Sequence, residues 1–185
     1  MSQRAFKSRF AEAVTFATER HQGQLRKGTA IPYISHPLAV AETLARFYPD
    51  RADLIVAGVL HDVVEDTDTE SAEISQHFGD EVARLVAGVT KVNGDNWRHT
   101  RQMQLDKVRT AETDIVRLKA ADAHHNAESM RRDLVAFGPA LWKRFRGSAD
   151  DVRWYYDGLV QIVSERLPGE PLVNELRRAA EGLRE

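Results

Sequence analysis

Apolar residues recur every three or four positions along most of the chain, a spacing typical of amphipathic helices. Near the start, Phe6, Phe10 and Val14 follow this spacing, and strand-like alternation is rare throughout. The pattern predicts helices over residues 3–22, 36–48, 52–66, 98–110, 112–132, 149–166 and 171–184, with two shorter ones over 70–90 that separate near Gly79. We therefore expect an all-α fold, a compact multi-helix bundle built as one domain over residues 1–185.

The predicted helix over 52–66 is apolar almost throughout and then becomes polar at its carboxyl end, in the stretch "LHDVVEDTD". A rotation of about 100° per residue places four polar side chains there within an arc of about 140°. They are His61, Asp62, Glu65 and Asp66. Three carboxylates so close repel one another unless a positive charge lies among them, and a divalent metal ion would supply it.

A solvated helix end with a chance histidine is the alternative interpretation of this segment. The helix dipole disfavours acidic residues at a carboxyl end, which counts mildly against chance. Imidazole and carboxylate ligands together suit manganese, iron, zinc or magnesium, and the sequence does not choose among them.

Further ligands would have to come from other helices. His36 begins the predicted helix 36–48, with Pro37 in its first turn. Asp122 and Asn126 lie four residues apart, and hence on one face, in an alanine-rich helix. Singly, His36 is typical of a packing residue and Asp122 of an exposed carboxylate. Together with the His61–Asp62 pair they make two imidazoles and two carboxylates, which leaves positions open for water and substrate.

Composition narrows the function only slightly. The chain has 185 residues, a formal net charge of −2 and no cysteine. Without a basic patch we expect no nucleic-acid partner, and without a long apolar run we expect no membrane span. Thiolate metal sites and disulfides are excluded, and a reducing cytoplasm fits this composition. The oligomeric state stays open.

Four stretches, in order, resemble the HD superfamily of metal-dependent phosphohydrolases. More narrowly, they resemble the hydrolase domain of the RelA/SpoT alarmone enzymes in its stand-alone form. The stretches are "HQGQLRKGTAIPYISHPLAVAETLA", "AGVLHDVVEDTD", "FGDEVARLVAGVTKV" and "VRLKAADAHHN". The resemblance runs from about residue 10 to residue 132. An isolated His-Asp dipeptide would be a weak signal, whereas the ordered set is specific.

The resemblance implies one manganese ion bound by two histidines and two aspartates, namely His36, His61, Asp62 and Asp122. It implies that Glu65 and Asp66 orient or activate the attacking water. The implied reaction removes pyrophosphate from the 3′ position of ppGpp or pppGpp and leaves GDP or GTP.

The resemblance also implies contacts to the nucleotide. Arg26 and Lys27 would lie against the base, and Asn126 would contact the sugar. Tyr155 would close over the substrate, although a packed core aromatic is an equal alternative. Arg98 and Arg101 lie where relatives carry basic phosphate contacts, although solvated surface is the simpler interpretation of each.

The segment after Asp122 departs from the family. Residues 123–129 read "AHHNAES", so that Ala123 and Glu128 replace two basic residues. Fewer positive charges near a polyphosphate leave two further interpretations open. One is a phosphohydrolase for another nucleotide, such as ppApp or NADPH. The other is a nucleotide-binding module without catalysis, although the metal ligands and both water-activating carboxylates are present.

Overall fold

The structure is a computed structural model, and it describes residues 3–91 and 94–184. Within these ranges there are ten α-helices and one 3-10 helix, and no strand. In chain order they are α1 (Gln3–Arg20), α2 (Ser35–Phe47), α3 (Ala52–Leu60), α4 (Val63–Asp66), α5 (Ser71–Phe78), α6 (Asp80–Val89), α7 (Trp97–Thr110), α8 (Thr113–Phe137), the 3-10 helix (Gly138–Arg144), α9 (Ala149–Arg166) and α10 (Pro171–Glu181). The predicted all-α fold is confirmed.

Most predicted helices are found within two or three residues of their predicted ends, and two differ. The helix predicted over 52–66 is interrupted at His61 and Asp62, which separate α3 from α4. Both residues keep right-handed helical backbone angles and form a turn between the two helices. Helix α8 continues to Phe137, five residues beyond its predicted end, and it ends at Gly138, whose φ is +58°.

The chain divides into two compact units, Met1–Thr90 and Lys91–Glu185. One domain over 1–185 therefore stays a prediction of the sequence. Each unit contains part of the predicted site.

Helix α3 is the centre of the first unit, as its apolar sequence predicts. Every residue from Leu54 to Leu60 is buried, and the helix packs against α1, α2 and α6. Gly58 permits the close approach to α2, because a Cβ atom there would lie 2.8 Å from Leu44 Cδ1 and 3.1 Å from Ala41 Cα. This packing fixes the carboxyl end of α3, where His61 follows.

Helix α8 packs against α7, α9, α10 and the 3-10 helix in the second unit. Arg117 on α8 pairs with Asp114 and, through two nitrogens, with Glu170 just before α10. Helix α9 begins with a capping box formed by Ser148 and Asp151. These contacts hold the buried stretch of α8 that contains Asp122.

No helix among the described residues is long and apolar enough to cross a bilayer.

Candidate metal centre

Three side chains of the first unit converge on one point. His36 comes from the first turn of α2, and His61 and Asp62 come from the turn after α3. His61 Nε2 lies 3.2 Å from His36 Nε2 and 3.1 Å from Asp62 Oδ2, and His36 Nε2 lies 3.4 Å from the same oxygen. The two imidazoles are 1% and 2% exposed. Residues 25 positions apart in the chain thus present three donor atoms to one small volume.

These separations suit a shared divalent cation. A metal–ligand distance of about 2.1 Å places neighbouring donors about 3.0 Å apart in octahedral geometry and about 3.4 Å apart in tetrahedral geometry. The three observed distances fall within this range. Two imidazole nitrogens and one carboxylate oxygen are ligands that manganese, iron and zinc accept. The residues present therefore fit a metal ion.

A hydrogen bond at Nδ1 determines which ring nitrogen of His61 carries the proton. Nδ1 lies 2.9 Å from the carbonyl oxygen of Gly58, which can only accept a hydrogen bond. In the neutral ring the proton is therefore on Nδ1, and the lone pair of Nε2 points towards His36 and Asp62. Metal-binding histidines are commonly oriented in this way by a backbone carbonyl.

Asp62 is held in its charged form. Burial alone would raise the pKa of this carboxyl, but the neighbouring His61 and His36 outweigh burial and hold the pKa well below its usual range. A carboxylate that is ionised and partly enclosed provides the negative charge that a divalent ion needs.

Tyr33, which the sequence analysis did not single out, connects two of the predicted carboxylates. Its hydroxyl lies 2.7 Å from Asp62 Oδ2 and 2.7 Å from Asp66 Oδ2. Burial and the two nearby carboxylates raise the pKa of this phenol far above its usual value, so it stays protonated and donates. Glu65, the remaining predicted catalytic residue, is half-buried in the short helix α4 beside Asp66.

The loop before α2 carries the predicted base-binding pair. Leu25 and Pro32 form an isolated antiparallel bridge, and the Arg26 N–H donates to the Ile31 carbonyl. The Arg26 guanidinium lies 5.6 Å from the centre of the Tyr33 ring. Lys27 is exposed in the turn. The structure therefore places Arg26 on the same tyrosine that contacts the carboxylates.

Asp122, the predicted fourth metal ligand, belongs to the second unit and is buried there. Lys119 Nζ donates to its Oδ2 at 2.7 Å, and Asn126 Nδ2 donates to its Oδ1 at 2.6 Å. Burial would lower the pKa of Lys119, but Asp122 holds it above the usual value. A carboxylate oxygen has two lone pairs, so these bonds do not prevent it from binding a cation.

The aromatic and basic residues predicted around the substrate also belong to the second unit, namely Tyr155, Arg98 and Arg101. Tyr155 is only 5% exposed, as a packed aromatic would be, and the Arg101 guanidinium lies 4.9 Å from its ring centre. Arg98 is exposed, pairs with Asp151 at 3.0 Å and stacks on Trp154. Roles for these residues towards a nucleotide stay predictions.

Both departures from the family have local explanations. Ala123 is buried, and its carbonyl oxygen lies 3.4 Å from the Tyr156 hydroxyl. Glu128 pairs with Arg131 one turn later at 3.0 Å. The acidic side chain at 128 is thus matched by a cation on the same helix.

Sequence reasoning missed Tyr33 and Lys119. Lys119 could have been found, because it stands three residues before Asp122 and hence on the same helical face. Tyr33 carried no comparable signal, since its partner Asp62 is 29 residues away in the sequence.

Residues 13–146 match the family model described as the HD domain. That range covers well over half of the sequence, so this chain belongs to the HD domain family.

Two curated relatives of this chain have closely similar descriptions. A Synechocystis protein described as a probable guanosine-3′,5′-bis(diphosphate) 3′-pyrophosphohydrolase is 38% identical over 146 residues, which are 76% of this chain and 18% of that protein. An Aquifex aeolicus protein described as a guanosine-3′,5′-bis(diphosphate) 3′-pyrophosphohydrolase is 40% identical over 121 residues, 64% of this chain and 17% of that protein. The chain thus spans under a fifth of the length of these curated relatives.

Two solved structures match most of their own length. The lmo0812 protein from Listeria monocytogenes EGD-e has a TM-score of 0.71 at 34% identity, covering 79% of this chain and 96% of that one. A protein described as a metazoan ortholog of SpoT that hydrolyzes ppGpp has a TM-score of 0.74 at 25% identity, covering 93% of each chain.

Proposed function

We propose that this protein is a metal-dependent 3′-pyrophosphohydrolase of ppGpp and pppGpp. The observation that carries the proposal is the convergence of His36, His61 and Asp62, whose donor atoms lie 3.1 to 3.4 Å apart. It occurs inside the segment that matches the HD domain. Relatives of this chain are described as guanosine-3′,5′-bis(diphosphate) 3′-pyrophosphohydrolases, and a structural relative of nearly the same length is described as hydrolysing ppGpp.

His36, His61 and Asp62 would hold the ion. When bound, a divalent ion supplies acidity to water and stabilises negative charge on phosphoryl oxygens. Manganese as this ion, Asp122 as its fourth ligand and the cytoplasm as the compartment stay predictions from the sequence.

Glu65 and Asp66 have the chemistry and the position to handle the water's proton. Both follow the His61–Asp62 turn by one helical turn, on α4. In the proposed reaction a water oxygen forms a bond to the phosphorus next to the ribose. The bond from that phosphorus to the 3′ oxygen breaks, pyrophosphate leaves, and the 3′ oxygen gains a proton. A carboxylate that removes the water's proton contributes about 10²- to 10⁴-fold to such a step.

Arg26 is the side chain of the first unit best suited to a purine. Its guanidinium is planar and already lies against an aromatic ring, and the same stacking geometry serves a nucleobase. Stacking accepts either purine, because both present a π-face. We therefore propose that ppGpp and ppApp are both bound, with weak discrimination between them.

Product analysis tests the proposal. The purified protein with added manganese is incubated separately with ppGpp, pppGpp, ppApp and NADPH, and the products are separated. Release of pyrophosphate together with GDP or GTP is expected from the guanosine alarmones. Turnover of NADPH alone would refute the alarmone assignment, while leaving the metal centre in place.

A further inference from the structure

Tyr33 occupies a position that the proposed catalytic roles do not use. Its hydroxyl contacts Asp62, a predicted metal ligand, and Asp66, a predicted proton-handling carboxylate, at 2.7 Å each. These two aspartates are four residues apart, on either side of the start of α4. A single phenol thus links the metal-binding and proton-handling parts of the site.

The Tyr33 ring is held in place by its neighbours. The His21 ring stacks at 4.7 Å with a tilt of 32°, and the His36 ring meets it edge-on at 6.0 Å. The backbone N–H of Tyr33 donates to the Gln24 carbonyl at 3.0 Å. With its ring and backbone both fixed, the hydroxyl has little freedom to leave the two carboxylates.

A second set of contacts holds Asp66 from its backbone. Gln24 Nε2 donates to the Asp66 carbonyl at 2.8 Å, which leaves Gln24 Oε1 as an acceptor. His21 Nδ1, 2.8 Å from that oxygen, therefore carries the donated proton. His21 is 3% exposed, so the inner end of this chain of bonds is buried, whereas its outer end at Asp66 is exposed. Asp66 is thus anchored through both its carbonyl and its carboxylate by one loop.

We propose that Tyr33 is a positioning residue that sets the distance and orientation of the Asp66 carboxylate relative to the metal ligand Asp62. The proposal rests on the proposed function and deepens it. Two carboxylates one helical turn apart repel each other, and a shared hydroxyl offsets that repulsion. Removal of the hydroxyl takes one orienting contact from the Asp66 carboxylate and one hydrogen bond from the metal-binding oxygen of Asp62.

The test uses Tyr33→Phe, which keeps the ring and its stacking but removes the hydroxyl. Tyr48→Phe is the matched control, because it removes a hydroxyl from the same unit at the far end of α2. That site lies 12 residues, or about 18 Å along the helix, from His36. Manganese affinity is measured by titration calorimetry without substrate, and kcat and KM are measured with ppGpp.

For Tyr33→Phe we expect the manganese Kd to rise and kcat to fall, each by about 10- to 100-fold, while KM stays nearly unchanged. Tyr48→Phe should match the wild type in all three measurements. In an Asp66→Asn background, Tyr33→Phe should lower kcat much less than it does alone, because both changes act through the same carboxylate.

Two results would overturn the positioning role. One is a Tyr33→Phe variant with wild-type Kd and kcat. The other is a raised KM with unchanged Kd and kcat, which would make Tyr33 a substrate contact. If the wild type binds manganese but does not split ppGpp, the proposed function fails. The change in manganese Kd then still decides whether Tyr33 positions Asp62.

Discussion

The two buried aspartates predicted as metal ligands, Asp62 and Asp122, satisfy their charge in different ways. Asp62 faces two imidazole nitrogens and a tyrosine hydroxyl, and none of these is a permanent cation. Asp122 is bound by the Lys119 ammonium and by the Asn126 amide. The first arrangement favours the arrival of a divalent ion, whereas the second is already neutralised by the protein itself. The first cluster therefore fits a cation-binding site, whereas the second contains an ion pair supplied by the protein.

The largest effect should come from removing the aspartate that lacks its own cation. Asp62→Ala is expected to abolish manganese binding. We expect kcat/KM to fall by about 10³-fold or more, because the variant loses the several kcal/mol of transition-state stabilisation that a bound metal supplies. Asp68→Ala is the matched control, because Asp68 is an exposed carboxylate on the same segment. Elemental analysis and ppGpp turnover are measured together. Full metal occupancy in Asp62→Ala would contradict the ligand assignment.

Asp122→Ala, measured in the same way, sharpens the comparison. If Asp122 is a metal ligand as the sequence predicts, the variant loses metal as Asp62→Ala does. If it keeps metal at wild-type occupancy, the ion pair with Lys119 is its whole role.

Removing the cation from the second cluster should cost stability. Lys119→Met leaves a buried carboxylate without its partner, and we expect the free energy of unfolding to fall by about 3–5 kcal/mol. Lys143→Met changes an exposed lysine in the same unit and should stay within about 0.5 kcal/mol of the wild type. Denaturant titration measures the free energy of unfolding of both variants. Equal losses would show that the Lys119–Asp122 pair contributes no more stability than an exposed lysine.

The pH dependence of the Lys119→Met penalty follows from the raised pKa. A group whose pKa is raised by folding contributes fully below its unfolded value, here 10.5, and loses the contribution only as pH rises through the folded value. Lys119 itself should therefore add no pH dependence to the penalty between about pH 6 and about pH 9. A penalty that changes steeply in that window would point to a different titrating group.

Adding metal should stabilise the first cluster without any mutation. Manganese at about 100 times its Kd is expected to raise the free energy of unfolding by about 2.7 kcal/mol, because the ion binds only the folded site. The His61→Ala variant should show no such increase. Thermal unfolding with and without manganese measures the difference, and an equal increase in both proteins would place the ion elsewhere.

The sequence predicts the parts of this site whose residues lie close together in the chain. It does not predict contacts between residues that are far apart in the chain. The cluster of polar residues at the end of the predicted helix 52–66 was visible in the sequence, because the helix dipole disfavours acidic residues there, which counts mildly against chance. The break between α3 and α4 was not, since no proline or glycine marks it. Tyr33 was out of reach because a loop closed by backbone bonds brings it to Asp62. Such contacts follow from tertiary structure and leave no local periodicity.

The smallest expected effects come from a glycine in each unit. A Cβ at Gly58 would meet the backbone of α2 at Ala41, which cannot move alone, so Gly58→Ala should destabilise the fold by about 1–3 kcal/mol. Because the Gly58 carbonyl orients His61, the variant should also bind manganese more weakly.

A Cβ at Gly158 on α9 would meet only the side chain of Leu105, at 3.0 Å, and that side chain can turn aside. Alanine's better helix propensity, about 1 kcal/mol, should then leave Gly158→Ala close to neutral. Chemical denaturation and manganese titration of both variants test this, and a Gly58→Ala protein with wild-type stability and metal affinity would show that the close packing of α3 on α2 does not hold the metal centre.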